Sequence, residues 1–588
     1  MFKIFKRTST TERILILSSF VFILLQVWME LKIPDYMSDI TRLLQEQGTE
    51  TSDIMAPGAK MIGLSLLSFA SSILVGFFAA RIAAGLTRRV RGDVFDQVTS
   101  YSTNEIQQFS VPSLVTRTTN DLTQIQTLIA MGLQVVIKGP ITAIWAITKI
   151  ANKNWEWTMT TGIAVIVLLL FISFIMIFVR PKFAKIQTLT DNLNGVTRES
   201  LTGIRVIRAY NAEDYQENKF EEANDELTST NLFTGRMMSL LNPMMTLISS
   251  GLTLAVYWIG AFLIEDAVGP DKITLFSDMV VFTSYAMQVV IGFMMMTIIF
   301  FILPRSMVAA RRINEVLSVN SSVPFEAPHQ ESFPDQGTIT FDNVSFSYPN
   351  ASESVLENIS FSAEKGQTVA FIGSTGSGKS TILKLIPRLF DITKGKITLD
   401  GEDIKAFSQE DLNNIIGYIP QKPVLFSGTI RSNMQLGTSF ETPLDDEKMY
   451  DALTIAQAKN FVDEEPGNLD ARVSQNGSNF SGGQKQRLAI ARVIARKPEI
   501  LLFDDSFSAL DYKTDKTLRD VLKERLPETT KLIVAQRIST IMDANLIVVL
   551  DEGKVVGKGT HKELLATNAV YQEIAYSQLS KEELENEE

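Results

Sequence analysis

The chain has no cysteine and only two histidines, His329 and His561, in 588 residues. The first absence excludes disulfides and thiolate metal sites, though it does not identify a compartment. The second means that any imidazole chemistry must come from one of two positions. An excess of positive charge is also missing: 55 Lys and Arg stand against 66 Asp and Glu, for a net charge of −11. That balance argues against nucleic acid as a partner. With 45% hydrophobic and 21% charged residues, the composition excludes a collagen-like, disordered or disulfide-framed chain. The average conceals a split. Nearly all long apolar runs lie before residue 305, and the remainder reads as soluble. At about 150 residues per domain, this length predicts at least two domains.

Six apolar stretches, near 14–31, 61–81, 128–148, 158–179, 239–264 and 276–303, are long enough to cross a bilayer as helices. Lys138 and Asp278 are the clear charges inside them. The first stretch lacks a small-residue cleavage site and is followed by five more, which disfavours a signal peptide. Lys and Arg concentrate before the first stretch (Lys3, Lys6, Arg7, Arg13), after the second (Arg81, Arg88, Arg89, Arg91, Arg117) and after the fourth (from Arg180 to Arg236). The opposite loops are mostly acidic, as at Asp35, Asp39, Glu46, Glu50 and Asp53. The N-terminus, both long loops and everything after the sixth stretch are therefore expected on the cytoplasmic side. The two long cytoplasmic segments keep helix-like apolar spacing, so they are expected to extend the membrane helices rather than to form loose loops. Residues 1–7 mix aromatic and basic side chains and read either as a short interfacial anchor or as a solvated tail. Residues 304–336, with Pro304, Pro324, Pro328 and Pro334, read as the linker.

The soluble part opens differently. Residues 368–372 form a β-type apolar run. Gly373, Ser374, Thr375, Gly376, Ser377, Gly378, Lys379 and Ser380 follow it, and then an apolar helical run begins at Thr381. This is G-x4-G-K-S in its strand–loop–helix context. Glycines let backbone N–H groups converge on phosphates, and the helix start adds its dipole. Lys379 is expected to reach the β- and γ-phosphates of a nucleoside triphosphate, and Ser380 to ligate Mg²⁺. A second apolar strand, 500–503, ends in Asp504, a carboxylate at the sheet edge where open α/β folds bind ligands and where this nucleotide-binding class holds its metal. Between the two, Ser481, Gly482, Gly483 and Gln484 open another helix. That is a second phosphate-binding helix start in one domain. One domain cannot easily wrap both around a single ATP, so a dimer is expected, each P-loop closed by the other chain's Ser-Gly-Gly-Gln segment.

From these motifs onward, residues 337–576 resemble the nucleotide-binding domain of ATP-binding cassette (ABC) transporters. Tyr348 in Phe-Ser-Tyr-Pro matches the aromatic that stacks on adenine. Gln421 matches the glutamine that links Mg²⁺ to the membrane helices. Ser481–Gln484 matches the family signature, with Phe480 where leucine is usual. Ser508-Ala509-Leu510-Asp511 matches the D-loop. The first half resembles the six-span exporter type, most visibly in the segment from Arg198 to Glu213. The fold class implied is a membrane α-helical domain of six transmembrane helices with long cytoplasmic extensions, followed by an α/β P-loop ABC domain. The expected boundaries are 1–303, a linker 304–336, 337–576, and an acidic tail 577–588.

Two positions depart from the family. Asp505 stands where a glutamate polarises the attacking water, and it is about 1.5 Å shorter. A misplacement of about 1 Å costs roughly a hundredfold in rate. Gln536 stands where a histidine precedes Arg537 in the switch loop, and an amide cannot take up a proton near neutral pH. The stretch 471–477 also departs from the family's acid-rich cross-talk loop, whereas Ser481–Gln484 is intact. This pattern resembles the degenerate-site subunit of heterodimeric bacterial multidrug ABC exporters. The resemblance implies a partner half-transporter carrying the consensus glutamate and histidine, a plasma-membrane location, and ATP with Mg²⁺ as ligands. It also implies a hydrophobic or amphipathic small-molecule substrate. Methionines at Met244, Met245 and Met294–Met296 suit either a promiscuous apolar surface or plain helix packing. The alternatives are a peptide or lipid exporter of the same architecture, or an ATP-gated regulatory or channel protein.

Overall fold

A computed structural model describes residues 1–44, 50–151, 153–269, 271–325, 337–349, 351–437 and 443–579. The chain divides into two compact units. One comprises residues 1–99 and 111–319, the other 100–110 and 320–588.

The first unit is helical. Among the described residues, six helices are long and apolar enough to cross a membrane, and each contains one of the six expected stretches. Several far exceed a bilayer. Trp155–Thr202 and Asp271–Ser318 have 48 residues each, about 70 Å of helix against roughly 30 Å of hydrocarbon. The extra length forms the cytoplasmic segments. Thr51–Thr99 is followed by residues 100–110, which belong to the second unit and hold the helix Thr103–Phe109, and the first unit resumes with Val111–Thr118 and Asn120–Ala151. Trp155–Thr202 breaks at Gly203, passes through Ile204–Ala209, and returns as Glu213–Ser239.

One boundary differs from the sequence reading. Residues 304–318, read as the start of the linker, continue the last membrane helix to Ser318, with Pro304 inside it. Proline removes one backbone donor and disrupts an exposed helix, but neighbouring helices in a membrane bundle re-satisfy the freed groups. Pro34, Pro57, Pro140 and Pro181 sit inside helices in the same way. The rest of the expected linker lies mostly outside the described residues, His329 included, as does most of the acidic tail.

The N-terminus is not a free tail. Ile4 is buried, Ser9 and Glu12 form a capping box, and Arg89 grips Glu12 at 3.0 and 3.1 Å and the Arg7 carbonyl at 2.6 Å. Lys138 and Asp278, the two charges singled out inside the membrane stretches, are both paired. Lys138 Nζ lies 2.9 Å from Glu30, and Lys153 Nζ lies 2.5 Å from Asp278.

The second unit is built on a six-stranded sheet whose order is 554–559, 546–551, 368–373, 530–534, 500–504, 416–419, all parallel except the first pair. Its central strands 530–534 and 500–504 are buried along their whole length and mostly apolar, because both faces are covered. All five residues of Ile500–Asp504 are buried. Parallel register sets Val534 beside Phe371 on one side and Asp504 on the other. The carboxyl ends of the P-loop strand, the Asp504 strand and the strand leading to Gln536 therefore finish at one edge. A four-stranded sheet, 356–363, 339–346, 394–399, 402–403, carries Tyr348 just beyond its second strand.

Candidate nucleotide site

The turn after the 368–373 strand depends on glycine. Gly373 has φ +154°, and a Cβ there would lie 1.9 Å from the Leu550 carbonyl oxygen. Gly378 has φ +93°, with Leu356 Cδ2 at 2.5 Å from such a Cβ. Only glycine fits both positions, and the chain can then reverse within the loop and enter the helix Lys379–Leu385. Lys379 folds back over the loop, with its Nζ donating to the Gly373 carbonyl at 2.9 Å and the Ser374 carbonyl at 2.7 Å. Burial lowers the pKa of Lys379, and the Asp505 carboxylate opposes that shift. Ser377 and Thr381 are buried, while Ser374, Thr375 and Gly376 are exposed. Ser374 Oγ donates to Asp551 at 3.3 Å.

Two carboxylates meet this loop. Asp504 ends its strand and accepts from Ser380 Oγ at 2.5 Å and from the Tyr418 hydroxyl at 3.0 Å. Burial and the Asp504 charge both hold the Tyr418 proton on, well above the ordinary phenol range. Asp505 follows in a left-handed conformation, φ +51°, which aspartate tolerates better than most residues. Its Oδ2 accepts from Gln421 Nε2 at 3.0 Å and from Gln536 Nε2 at 2.8 Å. Burial is the main cause raising the pKa of Asp505, and Asp504 raises it further. The hydrogen bonds from Gln421, Ser508 and Gln536 oppose both.

The structure thus brings Lys379, Ser380, Gln421, Asp504, Asp505 and Gln536 together. Tyr348 is close to the same helix, its hydroxyl 3.1 Å from Thr381 Oγ1 and its ring edge-on to Phe390. Ser481, Gly482, Gly483 and Gln484 stand apart from these bonds. Ser481 caps the helix Gly482–Ile494, with Gln484 N at 3.3 Å from its Oγ, while its own N–H reaches Gln484 Oε1 at 2.8 Å. Phe480 is buried against Phe461. His561 hydrogen-bonds Tyr571 at 2.6 Å in the C-terminal part of the unit. Tyr418 went unrecognised in the sequence, although it lies three residues before Gln421 on the strand beside Asp504. Gln578, which touches the switch loop, carried no motif that could have marked it.

Residues 15–308 match the ABC transporter transmembrane region, and residues 356–508 match the ABC transporter family. An uncharacterized ABC transporter ATP-binding protein of Mycobacterium bovis is 36% identical over 92% of this chain and 93% of its own length. Another, from Bacillus subtilis, is 34% identical over 89% of this chain and 90% of its own length. An ATP-dependent lipid A-core flippase of Pseudomonas syringae pv. tomato is 30% identical over 85% of this chain and 82% of its own. A solved bacterial Atm1-family ABC exporter with ATP bound has the same fold, with a TM-score of 0.80 at 24% identity over 96% of this chain and 99% of that one. The chain belongs to the ABC transporter family: it is a half-transporter with the fold of an ABC exporter, a multi-pass membrane protein whose cytoplasmic ATPase domain couples ATP hydrolysis to transport.

Proposed function

We propose that this half-transporter works as one chain of a heterodimer and contributes the slower of two ATP sites. The observation that carries the reading is the pair of amides, Gln421 and Gln536, on one oxygen of Asp505. A general base must be free to accept a proton from water. Here the shorter carboxylate is already doubly engaged, and the neighbouring switch residue cannot relay a proton. Lys379 then binds the terminal phosphates and Tyr348 stacks on adenine. Gln536 donates a hydrogen bond to the γ-phosphate.

Ser380 Oγ, Asp504 and the Gln421 carbonyl are hard oxygen donors, the kind Mg²⁺ takes alongside water and phosphate. The close approach of Ser380 to Asp504 fits a shared metal. Mg²⁺ bound there would neutralise phosphate charge, and the residues' part is to hold it against the P-loop.

The partner's P-loop, glutamate and histidine form the working site, closed by Ser481–Gln484 of this chain. The exposed tip of the second cytoplasmic extension supports a second chain. Leu201, Val206, Tyr210 and Tyr215 are all more than half exposed there, around the break at Gly203. Apolar residues clustered at such a tip suit protein contact better than water.

The cargo is a hydrophobic or amphipathic small molecule exported across the plasma membrane. A lipid is the second reading, favoured by the relatives named lipid A-core flippases. The test compares ATPase activity of the chain purified alone and with a partner half-transporter. The reading expects turnover only in the pair, lost when the partner's catalytic glutamate is changed. Brisk, substrate-stimulated turnover by this chain alone would return it to a homodimeric exporter.

A further inference from the structure

The switch loop that carries Gln536 is held from outside by the C-terminal helix. Gln536 follows the buried strand Thr530–Val534 and precedes the turn Ile538–Thr540. Its side chain reaches Asp505, so the direction of that side chain depends on how its backbone is fixed. Gln578, the last residue of the helix Ala569–Gln578, provides the fixing. Its Nε2 donates to the Gln536 carbonyl at 2.7 Å, and its Oε1 accepts from the Ile538 N–H at 2.8 Å. One side-chain amide thereby satisfies a C=O and an N–H two residues apart, as a neighbouring strand would.

The helix is well seated to do this. Tyr571 and Ala575 are fully buried. Asn568 caps the helix through the Tyr571 N–H at 2.8 Å, and His561 holds the Tyr571 hydroxyl. Gln578 also lines, with Gln536, Arg537 and Ser508, one cavity of about 490 Å³ at this edge. A helix packed this firmly gives the amide a fixed origin, so the bracket acts on the loop rather than following it.

We propose that Gln578 is a positioning residue for the ATP site: it sets the Gln536 peptide so that the Gln536 amide meets the γ-phosphate. The inference rests on the γ-phosphate role given to Gln536 above. It makes a prediction that a merely stabilising contact does not. ADP lacks the γ-phosphate, so losing the bracket alters the hold on ATP and leaves the hold on ADP unchanged.

The experiment uses the full chain in lipid nanodiscs and follows release of radiolabelled Mg-ATP and, separately, Mg-ADP. Gln578→Ala is expected to release ATP roughly fivefold faster, the loss of about one net hydrogen bond, with ADP release unchanged. Gln578→Glu keeps the acceptor for Ile538 but sets an oxygen against the Gln536 carbonyl. It is expected to behave like the alanine variant, and it serves where alanine unsettles the fold. The double variant with Gln536→Ala should release ATP no faster than Gln536→Ala alone. Equal acceleration of both nucleotides, no change in either, or additive effects in the double variant would each overturn the proposal. Turnover measured on the same preparations judges the slow-site reading separately. A brisk wild-type chain sinks that reading and leaves the ATP–ADP contrast to decide this one.

Discussion

The nucleotide-binding unit has two glycine-bearing helix starts, and they are built in opposite ways. The P-loop start is closed on itself. Lys379 bonds the loop's carbonyls, Ser380 bonds Asp504, and Asp505 is held by two amides. The signature start is open. The side chains of Ser481 and Gln484 cap each other's backbone N–H groups, and a Cβ on Gly482 would meet nothing within 4 Å. On the function proposed here, the closed start carries the two departures, Asp505 and Gln536, and the open one is lent to the other chain. A half-site whose groups are bonded within its own chain can change its local chemistry and still fold. A surface that must complete another chain's site has to stay open and unaltered.

The sharpest way to break this contrast is to add one methyl group to each start. Gly373→Ala would place a Cβ 1.9 Å from the Leu550 carbonyl. It should cost on the order of 4 kcal/mol and abolish nucleotide binding, as thermal unfolding and ATP binding would show. Gly482→Ala should leave the unfolding midpoint unchanged while lowering turnover of the assembled pair by about tenfold, because the methyl occupies space needed by the other chain's nucleotide. A Gly482→Ala chain that lost stability to the same degree would show that the signature start is a folding element after all.

The next largest effect reverses the departures. Asp505→Glu with Gln536→His together should raise hydrolysis at this chain's site by roughly a hundredfold, measured as ATPase activity with the partner's own site inactivated. The single changes should achieve much less, since Gln421 and Gln536 share one Asp505 oxygen and the residues act as a unit. A full gain from Asp505→Glu alone would mean that carboxylate length was the whole defect.

A smaller effect tests the open side. Phe480 stands where leucine is usual and packs edge-on to Phe461, centroids 6.3 Å apart, while Arg487 lies 4.8 Å from the same Phe461 ring. Phe480→Leu keeps an apolar side chain there and forfeits the ring pair, about 1 kcal/mol. Stability should drop slightly, with turnover of the pair changed less than twofold. A large loss of turnover would show that the phenyl ring orients the Ser481 cap.

Much of this was legible in sequence because it is local. Six apolar runs, G-x4-G-K-S after a strand, and an aspartate closing four buried residues each follow from neighbours along the chain. Pro304 misled for the same reason: its local cost signals a helix end, and only the surrounding helices offset it. Lys138 and Asp278 could not be interpreted alone, since their partners Glu30 and Lys153 lie on other elements or beyond a turn. The shared Asp505 oxygen joins residues 421, 505 and 536, and Gln578 reaches back across some forty positions. No spacing rule covers such pairs. Only the sheet order that places three strand ends together reveals them.

The smallest effect separates burial from function along a single strand. Lys531, near the start of Thr530–Val534, is buried, and its Nζ donates to the carbonyls of Leu526 and Thr529. Burial lowers its pKa from 10.5 to about 8. Asp505, at the far end of the neighbouring strand, is shifted upward, again chiefly by burial. Both shifts penalise the charged form, yet their signs against pH are opposite. Between about 8 and 10.5 the unfolded chain holds the Lys531 proton and the folded chain does not, so stability rises with pH in that window. Around its carboxyl range the folded chain holds the Asp505 proton longer than the unfolded one, so stability falls as pH rises there. Lys531→Met should remove the alkaline rise in the unfolding midpoint and leave ATP binding intact. Asp505→Asn should remove the acidic fall and alter nucleotide handling as well. If Lys531→Met weakened ATP binding, a shift caused by burial alone would have to be counted part of the site, and the distinction drawn from the converging partners of Asp505 would not hold.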